Sequence, residues 1–179
     1  MYDLLILGTL LRGDKSGYKL RKILESALNS IRSISNGIFY PVLDKLEQHE
    51  YVTLTEKQIN GRKTKIAHIT SLGKKRFFEL MEEPVVNDTK RADIMHFKLR
   101  ALDCVPKQTQ IAILTQFKDF TQSDLECYQE AQQRINNKVS TSNIDIKFNS
   151  LVDAFTLDVQ LAETKLSWAE ASLATIQNM

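Results

Sequence analysis

The chain has 179 residues, 42% of them apolar, which suffices for one ordinary domain or two small ones and excludes wholesale disorder. Six Gly and three Pro exclude collagenous or low-complexity architecture, and two Cys, Cys104 and Cys127, are too few for a disulfide framework, so a reduced cytoplasmic setting is expected. Net charge is only +2, yet residues 57–78 hold seven Lys or Arg and no Asp or Glu, a local positive potential suited to a polyanion.

Leu4, Leu5, Leu7, Leu10 and Leu11 recur at helical spacing and stop before Gly13. This stretch has no basic residues before it and no small-residue cleavage site, so it is not read as a signal peptide, and no apolar run is long enough to cross a bilayer. Ser16 is placed to cap a second helix, Gly17–Asn29, with Leu20, Ile23, Leu24, Ala27 and Leu28 on one stripe. Ser30–Ile34 is expected as a brief strand. Ser35 then caps a third helix, Asn36–His49.

Advancing each residue of that helix by 100° puts Ile38, Phe39, Val42, Leu43 and Leu46 on a core face. Asn36, Gly37, Tyr40, Pro41, Asp44 and Gln48 fall opposite, where a merely solvated helix would show Lys and Glu. Two alternating, β-branched segments follow, Tyr51–Ile59 and Lys63–Thr70, joined by Asn60-Gly61, which is a strong hairpin-turn signal. Lys57, Arg62, Lys63 and Lys65 make its tip positive. A further helix spans Ser71–Glu82, and Pro84 ends it. Three short helices and a basic hairpin predict a winged helix-turn-helix over residues 1–83, with the third helix in the major groove and the hairpin along the backbone.

Three blocks, SGYKLRKIL, SNGIFYPVLDKLEQHEYV and INGRKTKIAHITSLGKKRF, occur in order over about residues 4–78. Together they resemble the N-terminal domain of the PadR-like family of transcriptional regulators. The departure is at His49-Glu50-Tyr51, where that family usually closes its third helix with Gly. The resemblance implies DNA contacts from Ser35, Asn36 and Tyr40 on the third helix and from Arg62, Lys63 and Lys65 on the hairpin; Lys45, further along the third helix, is a further candidate. Lys15, Ser16 and Lys19, at the start of the second helix, are candidates for phosphate contact because helix N-termini expose free backbone N–H groups.

Residues 84–179 are expected to form a helical domain. Helices are predicted over Thr89–Cys104, from Pro106 towards Val139, and from Asp145 nearly to the end, with Ser140–Asn143 as a loop between the long pair. In the last helix Phe148, Val152, Phe155, Val159, Ala162, Leu166, Ala169, Leu173 and Ile176 alternate spacings of four and three. Leu151, Leu157, Leu161 and Trp168 lie off that stripe, so more than one seam needs covering. An antiparallel hairpin of long helices cannot cover so much apolar surface, and a second copy of the chain is the economical partner. The dimer interface is therefore expected at Phe148, Val152, Phe155, Val159, Leu166, Leu173 and Ile176; the alternative is an internal bundle with Thr89–Cys104 as third member. The resemblance also implies a homodimer, reading a palindromic operator as a repressor. The ending LSWAEASLATI is similar to long-form members of the family that control phenolic acid decarboxylase genes.

Trp168 with Lys165, and His96, Arg100 and Tyr18, are candidates for a site that takes a small aromatic acid, by stacking on the ring and pairing with the carboxylate. No metal-ligand, phosphate-cradle or nucleophile motif is present, so no cofactor, metal or catalytic role is expected. The fold class expected is mainly α with a small β-hairpin, an N-terminal winged helix-turn-helix followed by antiparallel long helices for dimerisation. The competing reading is a protein-binding adaptor that uses the long helices and ignores DNA.

Overall fold

The computed structural model describes residues 1–28, 34–59, 61–141 and 149–178. The strand expected over Ser30–Ile34 lies outside these residues except for buried Ile34. Of the expected Ser140–Asn143 loop, Ser140 and Thr141 instead continue the preceding helix, while Ser142 and Asn143, the expected start of the last helix, and Phe148 lie outside them. The chain divides into two compact units, Met1–Ile113 and Leu114–Met179.

The first unit is built around α1 (Tyr2–Leu11), whose Leu4, Leu5, Ile6, Leu7 and Leu10 are all buried. A helix apolar on nearly every side needs neighbours on every side, and α1 is met by α2 (Gly17–Ala27), α3 (Asn36–Gln48), α4 (Ser71–Glu82), α5 (Arg91–Arg100) and β3 (Arg62–Ile69). Ser16 caps α2 as expected, its hydroxyl accepting from the Lys19 N–H at 3.3 Å. Ser35 holds the capping position of α3 through its carbonyl, which accepts from Ile38 and Phe39 at 3.0 Å each.

On α3 the core face consists of Phe39, Leu43 and Leu46, with Val42 half-buried, while Ile38 is exposed, contrary to the helical-wheel expectation. The helix closes on Glu50, whose φ of 57° is the left-handed conformation that glycine usually fills. The Tyr51 N–H reaches back to the Leu46 carbonyl and the Glu50 N–H to that of Glu47, both at 2.9 Å, so the missing family glycine is replaced by a strained residue in an otherwise ordinary helix stop.

The expected hairpin forms from β2 (Val52–Ile59) and β3, in antiparallel register from Val52↔Ile69 to Ile59↔Arg62. Its two-residue turn includes Gly61 at φ 76°. A third strand, β1 (Lys15–Ser16), pairs with Ala67 and Ile66 on the other side of β3. Two residues are too few for alternation to reveal, which is why β1 has no sequence signal.

The hairpin is anchored where it meets α4. Thr70 donates its hydroxyl to the Glu50 carbonyl at 2.6 Å and accepts from the Gly73 N–H at 2.9 Å. Gly73 sits so close that a Cβ there would lie 2.0 Å from the Tyr51 carbonyl oxygen. Thr70 and Gly73, within the third sequence block, thus have a packing reason: hydroxyl and bare backbone together let α4 start against the end of α3.

The helix expected over Thr89–Cys104 is α5 followed by a 3₁₀ turn, Leu102–Cys104, and it belongs to the first unit. Lys98 of α5 is buried, and its ammonium donates to the Met81 carbonyl at 2.9 Å and to that of Glu83. It satisfies carbonyls at the end of α4; desolvation by burial pulls its pKa down, with Glu83 opposing.

The helix α6 spans Lys107–Thr141, with the Pro106 carbonyl accepting its first bond from Gln110 at 3.0 Å. In the second unit α6 packs against α7 (Asn149–Asn178). Phe117 meets Trp168 edge to face at 5.8 Å, and Gln132 donates to Thr156 at 2.8 Å, so the pair runs antiparallel. Along the apolar stripe of α7 only Ala162 and Ala169 are buried; Val152, Phe155, Val159, Leu166, Leu173 and Ile176 are half-buried.

Candidate nucleic-acid interface

The first unit presents α3 and the hairpin from a common root at Glu50–Val52 and Thr70. Ser35, Asn36, Gly37, Tyr40 and Pro41 are exposed at the start of α3. The Tyr40 ring edges against Phe39 at 5.2 Å and passes beside Gly17, where a Cβ would lie 3.8 Å from it. Tyr40 is thus half supported by α2 while its outer half faces solvent. Lys45 is exposed in the last turn, among Asp44 and Glu47.

On the hairpin, Lys63 and Lys65 are exposed on β3, and Arg62 pairs with Ile59 at its tip. Glu56 opposes Lys65 in the register and lies 3.8 Å from Lys63. Charge on this strand is therefore partly balanced, though screened and weak at such exposure. Lys19 is exposed on the first turn of α2, while Lys15 is half-buried and donates to the Gly13 carbonyl at 2.8 Å. Ser16 is occupied as a cap. His68, near the root of the hairpin, bridges Asp14 at 2.8 Å and Thr55 at 2.7 Å, strapping the α1–β1 turn to the hairpin.

Residues 6–79 match the model of the transcriptional regulator PadR-like family. An uncharacterised protein from Lysinibacillus sphaericus is 32% identical over 82 residues, covering 45% of this chain and 75% of that protein. The chain belongs to the PadR-like family. It is a transcriptional regulator with a winged-helix DNA-binding fold. Among solved structures, similarity extends to Bacillus subtilis PadR in complex with operator DNA, at 20% identity over 97% of this chain and 96% of that one, TM-score 0.43. The same protein in complex with p-coumaric acid matches at 20% identity over 98% and 94%, TM-score 0.43. A PadR-like transcriptional regulator from Bacillus cereus matches at 18% over 99% of both chains, TM-score 0.41.

The PadR-like unit also contains a cavity of about 260 Å³ lined by Leu4, Leu5, Ile23, Phe97 and Ala101, with Arg12, Lys15 and Arg100 among its polar residues. Arg12 donates to the Arg100 carbonyl at 3.1 Å and to the Asp103 carboxylate at 2.5 Å. Arg100 is the one of the five effector candidates that lines this cavity. Tyr18 and His96 are exposed on the same unit, whereas Lys165 and Trp168 belong to the second. Although His96 is exposed, partial desolvation lowers its pKa below the usual imidazole value, and the nearby Arg100 charge pushes the same way against Asp93. Arg12 escaped the sequence reading because its partner Asp103 is 91 residues away. Among the described residues no cluster of His, Cys, Asp or Glu can hold a metal ion, and no helix is long and apolar enough to cross a membrane.

Proposed function

We propose that this regulator reads a palindromic DNA operator as a homodimer, with α3 of each copy in the major groove and β2–β3 along the backbone. The observation that carries the reading is the exposed, uncharged start of α3, Ser35 to Pro41, beside the exposed cations Lys19, Lys63 and Lys65 on one compact unit. Asn36 and Tyr40 supply base contacts; Lys63, Lys65, Arg62 and the cationic start of α2 hold phosphates. Lys15 and Ser16 contribute through the fold, because both are already bonded locally.

The dimer is held through α7. Its half-buried Val152, Phe155, Val159, Leu166, Leu173 and Ile176, and the exposed Leu157, Leu161 and Trp168, are an apolar surface that a solitary chain leaves wet. Binding at a promoter would exclude polymerase, making the protein a repressor in a cytoplasmic setting. A small aromatic acid fits the cavity beside α1: the lining accepts a ring, and Arg12 and Arg100 offer cations to its carboxylate.

The test is selection of genomic fragments on the full-length protein, followed by mobility shift. A palindrome with half-sites one helical turn or a multiple apart is expected, and phenolic acids should release it. Failure to retain any fragment, with capture of a protein partner instead, would favour the adaptor reading.

A further inference from the structure

Ile38 stands outside the core that the periodicity of α3 assigned to it. It is 49% exposed, whereas Phe39, Leu43 and Leu46 on the same helix are at most 2% exposed. It lies in the first turn, which carries no acidic residue; the helix's own carboxylates, Asp44 and Glu47, come later. The first turn of an ordinary solvated helix favours Asp or Glu, which suit its positive dipole end. Here that place holds an isoleucine, flanked by exposed Asn36, Gly37 and Tyr40 and sharing its unit with exposed Lys19, Lys63 and Lys65.

An exposed β-branched side chain at the start of α3, on a unit that also carries exposed cations, matches one feature of a duplex. Among the groups displayed in the major groove, the C5 methyl of thymine is the apolar one. A β-branched side chain suits this contact because its χ1 is already restricted, so little freedom is lost when it is pressed against a partner. We propose that Ile38 is a specificity-determining residue that recognises thymine by packing on its methyl group. The inference rests on the proposed placement of α3 in the groove.

The experiment uses full-length protein and duplexes selected from a random library by that protein, with each thymine replaced in turn by deoxyuridine, which differs only by the lost methyl. At one thymine per half-site, the replacement should weaken the wild-type complex roughly fourfold, equivalent to about 0.8 kcal/mol for one buried methyl-sized group. Ile38→Ala should bind the two duplexes equally, while Ile38→Val keeps part of the difference; thermal melts of both variants confirm that the fold is intact. If no thymine responds in the wild type, or if Ile38→Ala responds as strongly as the wild type, the methyl contact is overturned although DNA binding stands. If no duplex is retained at all, the groove placement of α3 falls, and this inference with it.

Discussion

Glu50 ends α3 in a backbone region where an L side chain crowds the following carbonyl, at a cost of roughly 1–2 kcal/mol. Its amide and that of Tyr51 still close the helix, so the strain comes from the Cβ and not from lost bonds. Glu50→Gly should therefore stabilise the protein, by about 0.5–1 kcal/mol once the greater freedom of glycine in the unfolded chain is set against the relief. Urea unfolding should show a higher midpoint at unchanged slope; a lower midpoint would mean that the Glu50 side chain contributes more than its backbone costs. His96 gives a second residue-scale expectation. Its pKa is depressed in the folded state, so the native protein holds fewer protons than the unfolded chain just below the ordinary imidazole value of about 6.5. Stability is fully kept above that value and falls as pH drops through the folded pKa. His96→Gln should flatten thermal stability between about pH 7 and pH 5, and a slope equal to wild type would assign the effect to other groups.

The hairpin is the element whose charge can be tested apart from its shape. Lys65 is exposed on β3, so Lys65→Ala should leave folding unchanged and weaken binding to operator and random DNA alike. The plot of log affinity against log salt should flatten by about one unit for one lost phosphate contact; an unchanged slope would remove the hairpin from the backbone. Much of this element was legible in the sequence because its signals are local: Asn60-Gly61 for the turn, β-branched runs for the strands, and Lys57, Arg62, Lys63 and Lys65 for the positive tip. The face of α3 was legible too, since an aromatic and an amide stood where solvated residues belong. What escaped was non-local. Strand β1 exists only because β3 offers it an edge, and Lys98 finds its carbonyls 15 and 17 residues back along the chain. Ile38 was misplaced because a wheel treats every turn alike, whereas the first turn of a helix lies at the rim of the core, where the neighbours run out.

At the scale of the molecule, the second unit leaves Leu157, Leu161 and Trp168 exposed along α7, at spacings of four and seven that align them on one side. Leu161→Glu should set a charge in the middle of that surface and shift sedimentation from dimer to monomer, with operator affinity falling far more than affinity for a single half-site. A variant that sediments like wild type would move the interface elsewhere on α7. Within the first unit, the Thr70 hydroxyl touches the end of α3, the root of the hairpin and the start of α4 at once, with Gly73 leaving no slack beneath it. The two parts of the reading head therefore share a single rivet. On the proposed homodimer, a ligand that releases DNA would therefore act by shifting whole heads and not by bending one part away from the other, so induction should register as altered spacing between half-sites that each remain individually recognisable.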